Sequence, residues 1–226
     1  MEVNNIMKTI NIIGIVLVAL LLIVLLVVAS TGLIKIPVLT SIVGADHAPD
    51  LGVKSDPGLF ESMLEGGGIT LTDPSGNYCL DCDIKYSNPG AMDIYVTSSE
   101  LTSYLQATNN EKGPLKDIQI KLGNNNEAEI GAYLDLKDRG VNFAGPVYAK
   151  GRIVKGSPAT LRLEIDKAKA GWVPVPGSYL DQGENELEDT INDQLAKMPG
   201  LNIETLSIND GQLHFKGDFP KTASAP

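Results

Sequence analysis

The sequence predicts an α+β protein: an N-terminal transmembrane helix, then a curved antiparallel sheet wrapped around one long and one or two shorter amphipathic helices. Three observations carry this. Ile12 to Ala29 is an unbroken run of Ile, Leu, Val, Ala and one Gly. From Leu115 to Ile165 the apolar residues recur at a period of two, and on either side of that stretch lie segments with helical periodicity.

The run from Ile12 to Ala29, coiled as a helix at about 1.5 Å per residue, is roughly 27 Å long, close to the hydrocarbon thickness of a bilayer. Lipid satisfies no backbone hydrogen bonds, so a segment apolar on every face spans as a helix. A cleaved secretory signal is the competing reading, since Lys8 precedes the run and Ala29 and Ser30 follow it. Signal h-regions are usually about 7 to 15 residues, and this run is longer. Lys8 and Lys35 flank it evenly, so orientation rests on topology: a short cytoplasmic tail (1–11), an anchor (12–29) and an exported body.

Outside the span lies one domain's worth of chain. The protein carries 18 Lys and Arg against 28 Asp and Glu, a net charge of -10, which repels nucleic acid and anionic head groups. Residues 30–49 mix Pro, Gly, Ser and Thr with short apolar pieces and read as a tether. Residues 50–92 hold a helix and a Cys-x-x-Cys segment. In the helix Asp56 caps, Pro57 takes the first position, Leu59, Phe60, Met63 and Leu64 share a face, and Gly66-Gly67-Gly68 ends it.

Cys79 and Cys82 read as a local disulfide or two idle thiols. Redox exchange needs a lowered thiolate pKa, and the flanking Asp81 and Asp83 act the other way. Zinc needs two more ligands, and the only histidines are His47 and His214.

Ile69 to Leu71 makes a short strand, and Met92 to Val96 alternates as another. Thr97-Ser98-Ser99-Glu100 then has the spacing of a capping box for a helix carrying Leu101, Tyr104 and Leu105. Two hairpins follow, one turning at Gly123-Asn124-Asn125-Asn126 and one at Lys155-Gly156-Ser157-Pro158, giving four antiparallel strands in a meander. Trp172-Val173-Pro174-Val175-Pro176-Gly177 breaks the sheet. The long helix, Ser178 to Lys197, bears an apolar stripe of Leu180, Leu187, Ile191, Leu195 and Met198. Its Glu184, Glu186, Glu188, Asp189 and Asp193 read as a solvated face, since the loop spacing of a calcium-binding EF-hand is missing. A final hairpin turns at Asn209-Asp210-Gly211, with a bulge or a sharp bend between Ile203 and Leu206, and His214 points to solvent, away from Phe215.

No nucleophile elbow, phosphate loop, metal cluster or pair of carboxylates facing one cleft is present, so no catalytic residue and no cofactor is expected and the chain reads as a non-enzyme. The order of elements resembles a known group. Val96-Thr97-Ser98-Ser99-Glu100-Leu101-Thr102-Ser103-Tyr104-Leu105, the strand pair from Leu115 to Leu136, Val147-Tyr148-Ala149-Lys150-Gly151, Val173-Pro174-Val175-Pro176-Gly177 and Pro199-Gly200-Leu201-Asn202-Ile203 together look like small bacterial membrane-anchored proteins of the YpmS and LmeA type, related to the tubular lipid-binding (TULIP-like) fold. That resemblance implies a TULIP-like domain over 93–226 and an apolar ligand such as a lipid held between helix and sheet. The groove residues expected are Leu101, Tyr104, Leu105, Leu180, Leu187, Ile191 and Leu195, with Trp172 at the rim. The competing expectation is a closed core in a tethered scaffold that recruits a cell-envelope protein.

Overall fold

A computed structural model of the protein describes residues 46–73, 84–108, 114–135, 137 and 144–225. The apolar run at 12–29, most of the tether at 30–49 and the cysteines at 79 and 82 lie outside the described residues. Within them no helix is long and apolar enough to cross a membrane. The described chain is α+β, with three helices and mostly antiparallel strands.

Helix α1 (Pro57–Gly67) begins where the sequence places it: the Asp56 carboxylate accepts the Gly58 N–H at 2.8 Å. It ends at Gly68, whose φ of 64° lets the chain turn back while its N–H reaches Glu65 O. Strand β1 (Thr70–Leu71) follows, then β2 (Lys85–Thr97) and helix α2 (Ser98–Thr108). The capping box forms: Thr97 N donates to Glu100 Oε2 at 2.7 Å and Glu100 N donates to Thr97 Oγ1 at 3.2 Å.

The meander is β3 (Leu115–Leu122), β4 (Glu127–Asp135), β5 (Ala144–Ser157), β6 (Thr160–Ala170) and β7 (Val173–Pro174), adjacent in that order. After helix α3 (Gly177–Ala196), strands β8 (Asn202–Asn209) and β9 (Gln212–Ser224) close the chain. They do not extend the meander. β9 is the centre of a separate four-stranded sheet, with β2 along one flank and β8 and β1 along the other.

Both β2 and β9 run well past the alternating pieces visible in the sequence. Asn88, with a φ of 56°, and Pro89, opposite Pro220, interrupt the pattern of residues while the pairing continues to Lys85 and Ser224. Of the bulge or sharp bend expected in β8, the structure has a bulge, between Ile203 and Thr205. It faces Gly217, whose φ of 151° and contact with the backbone of Asn202 exclude a side chain.

The two sheets are joined at their turns. Asn126 donates its N–H to Ile208 O and accepts the Ile208 N–H on Oδ1, both within 2.9 Å. Asn124 Oδ1 accepts from Asp210 N, and Asn209 Oδ1 accepts from Asn125 N. The sequence's two Asn-rich turns therefore hold each other. Beneath them Ile118, Ile120, Leu122, Ala132 and Ile208 form the core, with Leu101 and Leu105 of α2 packed against it.

Helices seal both long edges of the meander by one geometry. Ser98 Oγ and Thr102 Oγ1 accept the N–H groups of Leu122 and Ile120, and Gln106 Nε2 donates to Ile118 O. At the far edge Glu184, Glu188 and Asn192 accept from Ile165, Leu163 and Leu161. Residues four apart on a helix rise about 6.0 Å and residues two apart on a strand about 6.6 Å, so each helical turn meets the next outward-facing strand residue. This corrects the reading of the acidic run as solvated. Asp189 and Asp193 are exposed, whereas Glu184 and Glu188 are half-buried acceptors for an edge strand whose N–H groups need partners.

Candidate functional site: an apolar groove between two helices and a sheet

The inner face of the β2–β9 pair is a ladder of apolar rungs. Val96 opposes Leu213, Ile94 opposes Phe215, Met92 opposes Gly217 and Gly90 opposes Phe219. Alternation dictates this face, because successive side chains of a strand point to opposite sides. Over it lie α1, which presents Phe60, Met63 and Leu64, and α2, which presents Leu101 and Tyr104. They leave a cavity of about 320 Å³.

Among the described lining residues, side-chain polar groups are confined to the hydroxyls of Tyr86, Tyr104 and Thr108. Thr108 is occupied, donating to Tyr104 O at 2.9 Å. The Tyr104 ring lies 6.1 Å from that of Phe60, and burial, with a smaller effect of Tyr86, pushes its phenol pKa up to about 12. Tyr86 is raised too, by burial. Such a surface has little to offer an ionic transition state and much to offer a hydrocarbon.

A second depression, about 500 Å³, opens broadly where residues 47–55 cross β3. Its lining of His47, Lys54, Ser55, Gln106, Asp117 and Gln119 is polar. Gln119 is already used, accepting the N–H groups of Leu51 and Val53. Among the described residues no three His, Cys, Asp or Glu side chains gather to hold a metal ion.

The structure divides the residues expected at the groove. Leu101 and Tyr104 line it. Leu105, one residue on, packs into the main core. Leu180, Ile191 and Leu195 are half-buried on α3, which packs chiefly on β6, away from the groove, and Leu187 is 47% exposed. Trp172, 62% exposed, stands beside Val173 just after Gly171, at the turn between β6 and β7. Met198, just beyond α3, does reach the groove.

Two signals mark the residues that sequence reasoning left out: the apolar face of α1, and the matched alternation of Met92, Ile94 and Val96 with Leu213 and Phe215. Each is visible alone, but only the long-range pairing of β2 with β9 brings them together. His214 also differs from expectation. It lies on the outer face as its parity requires, yet it stacks on Tyr95 at 4.2 Å and meets Asp93 at 2.8 Å instead of facing water alone. Tyr95 and His214 are direct cross-strand partners, which brings the two flat rings together.

No known family, curated protein or solved structure matches this chain. Among the described residues, those lining the groove form a largely hydrocarbon surface that carries three hydroxyls.

Proposed function

We propose that this protein is a membrane-tethered, extracytoplasmic domain that binds a lipid or similar apolar ligand, in the manner of the YpmS and LmeA type and the TULIP-like fold. In this reading residues 12–29 span the bilayer, the N-terminus is cytoplasmic, and the sheets curve around the helices to hold the ligand. The cavity beneath α1 and α2 is the observation that carries it. At about 320 Å³ it lies at the lower end of the range for ligand pockets, roughly 300–1,000 Å³, which suits one alkyl chain better than two. Burying ten methylenes supplies roughly 8 kcal/mol before association costs, consistent with micromolar binding. The groove differs from the one expected along α3.

Native mass spectrometry of the full chain, released from detergent, tests the reading. A retained lipid supports it; a protein that carries none and leaves a fluorescent fatty acid undisplaced refutes it. A C-terminal reporter active only outside the cytoplasm tests the orientation.

A second reading has its own support. Trp172 and Val173, adjacent in the chain, are 62% and 42% exposed, and neighbouring apolar side chains at the surface favour a partner surface. A scaffold that docks an envelope protein there would need no ligand.

A further inference from the structure

The inner face of the β2–β9 pair carries one charge. Leu213, Phe215, Phe219 and Ala223 alternate along β9 and all line the groove, and Lys221 occupies the same parity between the last two. The register continues from Gly90 and Phe219 to Tyr86 and Ala223, and the position between them on β2 is Asn88. Asn88 turns its amide to Thr222 Oγ1 at 2.9 Å, so the rung is left to Lys221. The lysine stem lies over Gly90, where a Cβ would meet its carbons at 3.5 Å.

A half-buried ammonium on an apolar face needs partners for three donors. One goes to Gly67 O at 2.6 Å, at the carbonyl end of α1. In a protein with 28 acidic residues, no carboxylate among the described residues forms an ion pair with Lys221. Capping a helix C-terminus explains one donor and leaves two.

We infer that Lys221 anchors the anionic head of a single-chain amphiphile whose alkyl tail fills the groove, so that the ligand class is a long-chain carboxylate. This rests on the reading of the groove as a ligand site and narrows it. One ammonium matches one negative charge, and the cavity's volume matches one chain. The head would sit at the Gly67 end, beside Ile69 and Met92, with the tail running toward Val96 and Leu101 along the ladder.

The test is photolabelling of the full chain in phosphatidylcholine vesicles with dodecanoate bearing a diazirine near its tail, and with the corresponding neutral alcohol. The carboxylate should label residues 92–96 and 213–219 about tenfold more strongly than the alcohol, the factor a charge-assisted hydrogen bond supplies. Lys221→Met should abolish that preference while alcohol labelling persists, and Lys221→Arg should retain it, separating loss of charge from loss of fold. Equal labelling by both probes in the wild type, or a preference that survives Lys221→Met, overturns the role of Lys221 while leaving the groove a ligand site. No labelling of either segment by either probe overturns both.

Discussion

Glu188 of α3 accepts the backbone N–H of Leu163 on Oε2 at 3.0 Å, and Glu184 repeats the contact with Ile165 at 2.6 Å. These carboxylates stand where a neighbouring strand's carbonyls would otherwise be. Replacing Glu188 with Leu leaves a half-buried donor unmet and should cost about 1–2 kcal/mol, read from the urea midpoint. Glu188→Gln keeps an acceptor and should cost less than half of that. The double variant Glu184→Leu, Glu188→Leu should also associate as concentration rises, because an open strand edge templates pairing; light scattering that stays flat would contradict the sealing role.

At the opposite edge Thr102 is fully buried, and its Oγ1 accepts the Ile120 N–H at 2.9 Å. Thr102→Val preserves shape and removes the acceptor, so the expected loss is about 1–3 kcal/mol in equilibrium unfolding. Water has no access there to compensate.

Tyr104 links stability to alkaline pH. Its phenol ionises near pH 10 in the unfolded chain and at about 12 in the folded one, so above pH 10 the unfolded state loses its proton first. The stabilisation is complete below pH 10 and falls by about 1.4 kcal/mol per unit until about pH 12, some 2–3 kcal/mol in all. Tyr148, held by Glu129, is also raised to about 12, so the measurement belongs in a Tyr148→Phe background. There the late phase of the phenolate absorbance titration should lose one tyrosine's amplitude on Tyr104→Phe, the raised Tyr86 remaining.

Gly217→Ala should be among the most damaging single changes. A Cβ there would stand 1.8 Å from Asn202 O, and the φ of 151° is one that L side chains rarely adopt. A loss above about 3 kcal/mol is expected, with β8 separating first in hydrogen exchange.

Groove filling separates ligand binding from folding. Ile94→Trp places an indole among Phe215, Leu101 and Tyr104. Fatty-acid displacement should weaken about tenfold or more while unfolding shifts by only about 1–3 kcal/mol. Unchanged displacement would move the binding site elsewhere.

Much of the fold was legible because its signals are local. Asp56-Pro57, the box from Thr97 to Glu100 and the alternation from Leu115 to Leu136 each state their conformation within a few residues. The groove was legible only in part. Leu101 and Tyr104 announce a helix face, but nothing near them says whether it meets the strands of the meander or those of the terminal hairpin. That choice is made by β2 pairing with β9, more than a hundred residues away. The stripe on α3 misled for a related reason. Its apolar residues mark a face to be buried without naming the partner, while Glu184, Glu188 and Asn192, four apart on the adjacent face, fix where the helix lies.

The pairing of helical turns with strand pleats is a vernier. Steps of about 6.0 Å and 6.6 Å fall out of phase by some 0.6 Å at each contact, so a third contact is already displaced by more than an ångström. Side-chain length takes up the difference: α2 passes from Ser98 through Thr102 to Gln106, and α3 from Glu184 and Glu188 to the shorter Asn192. The next positions on α3, Leu180 and Ala196, have no side-chain acceptor, and the series stops there. Each helix here guards five residues of strand, 118–122 and 161–165, and a meander grown longer at either edge would outrun its guard.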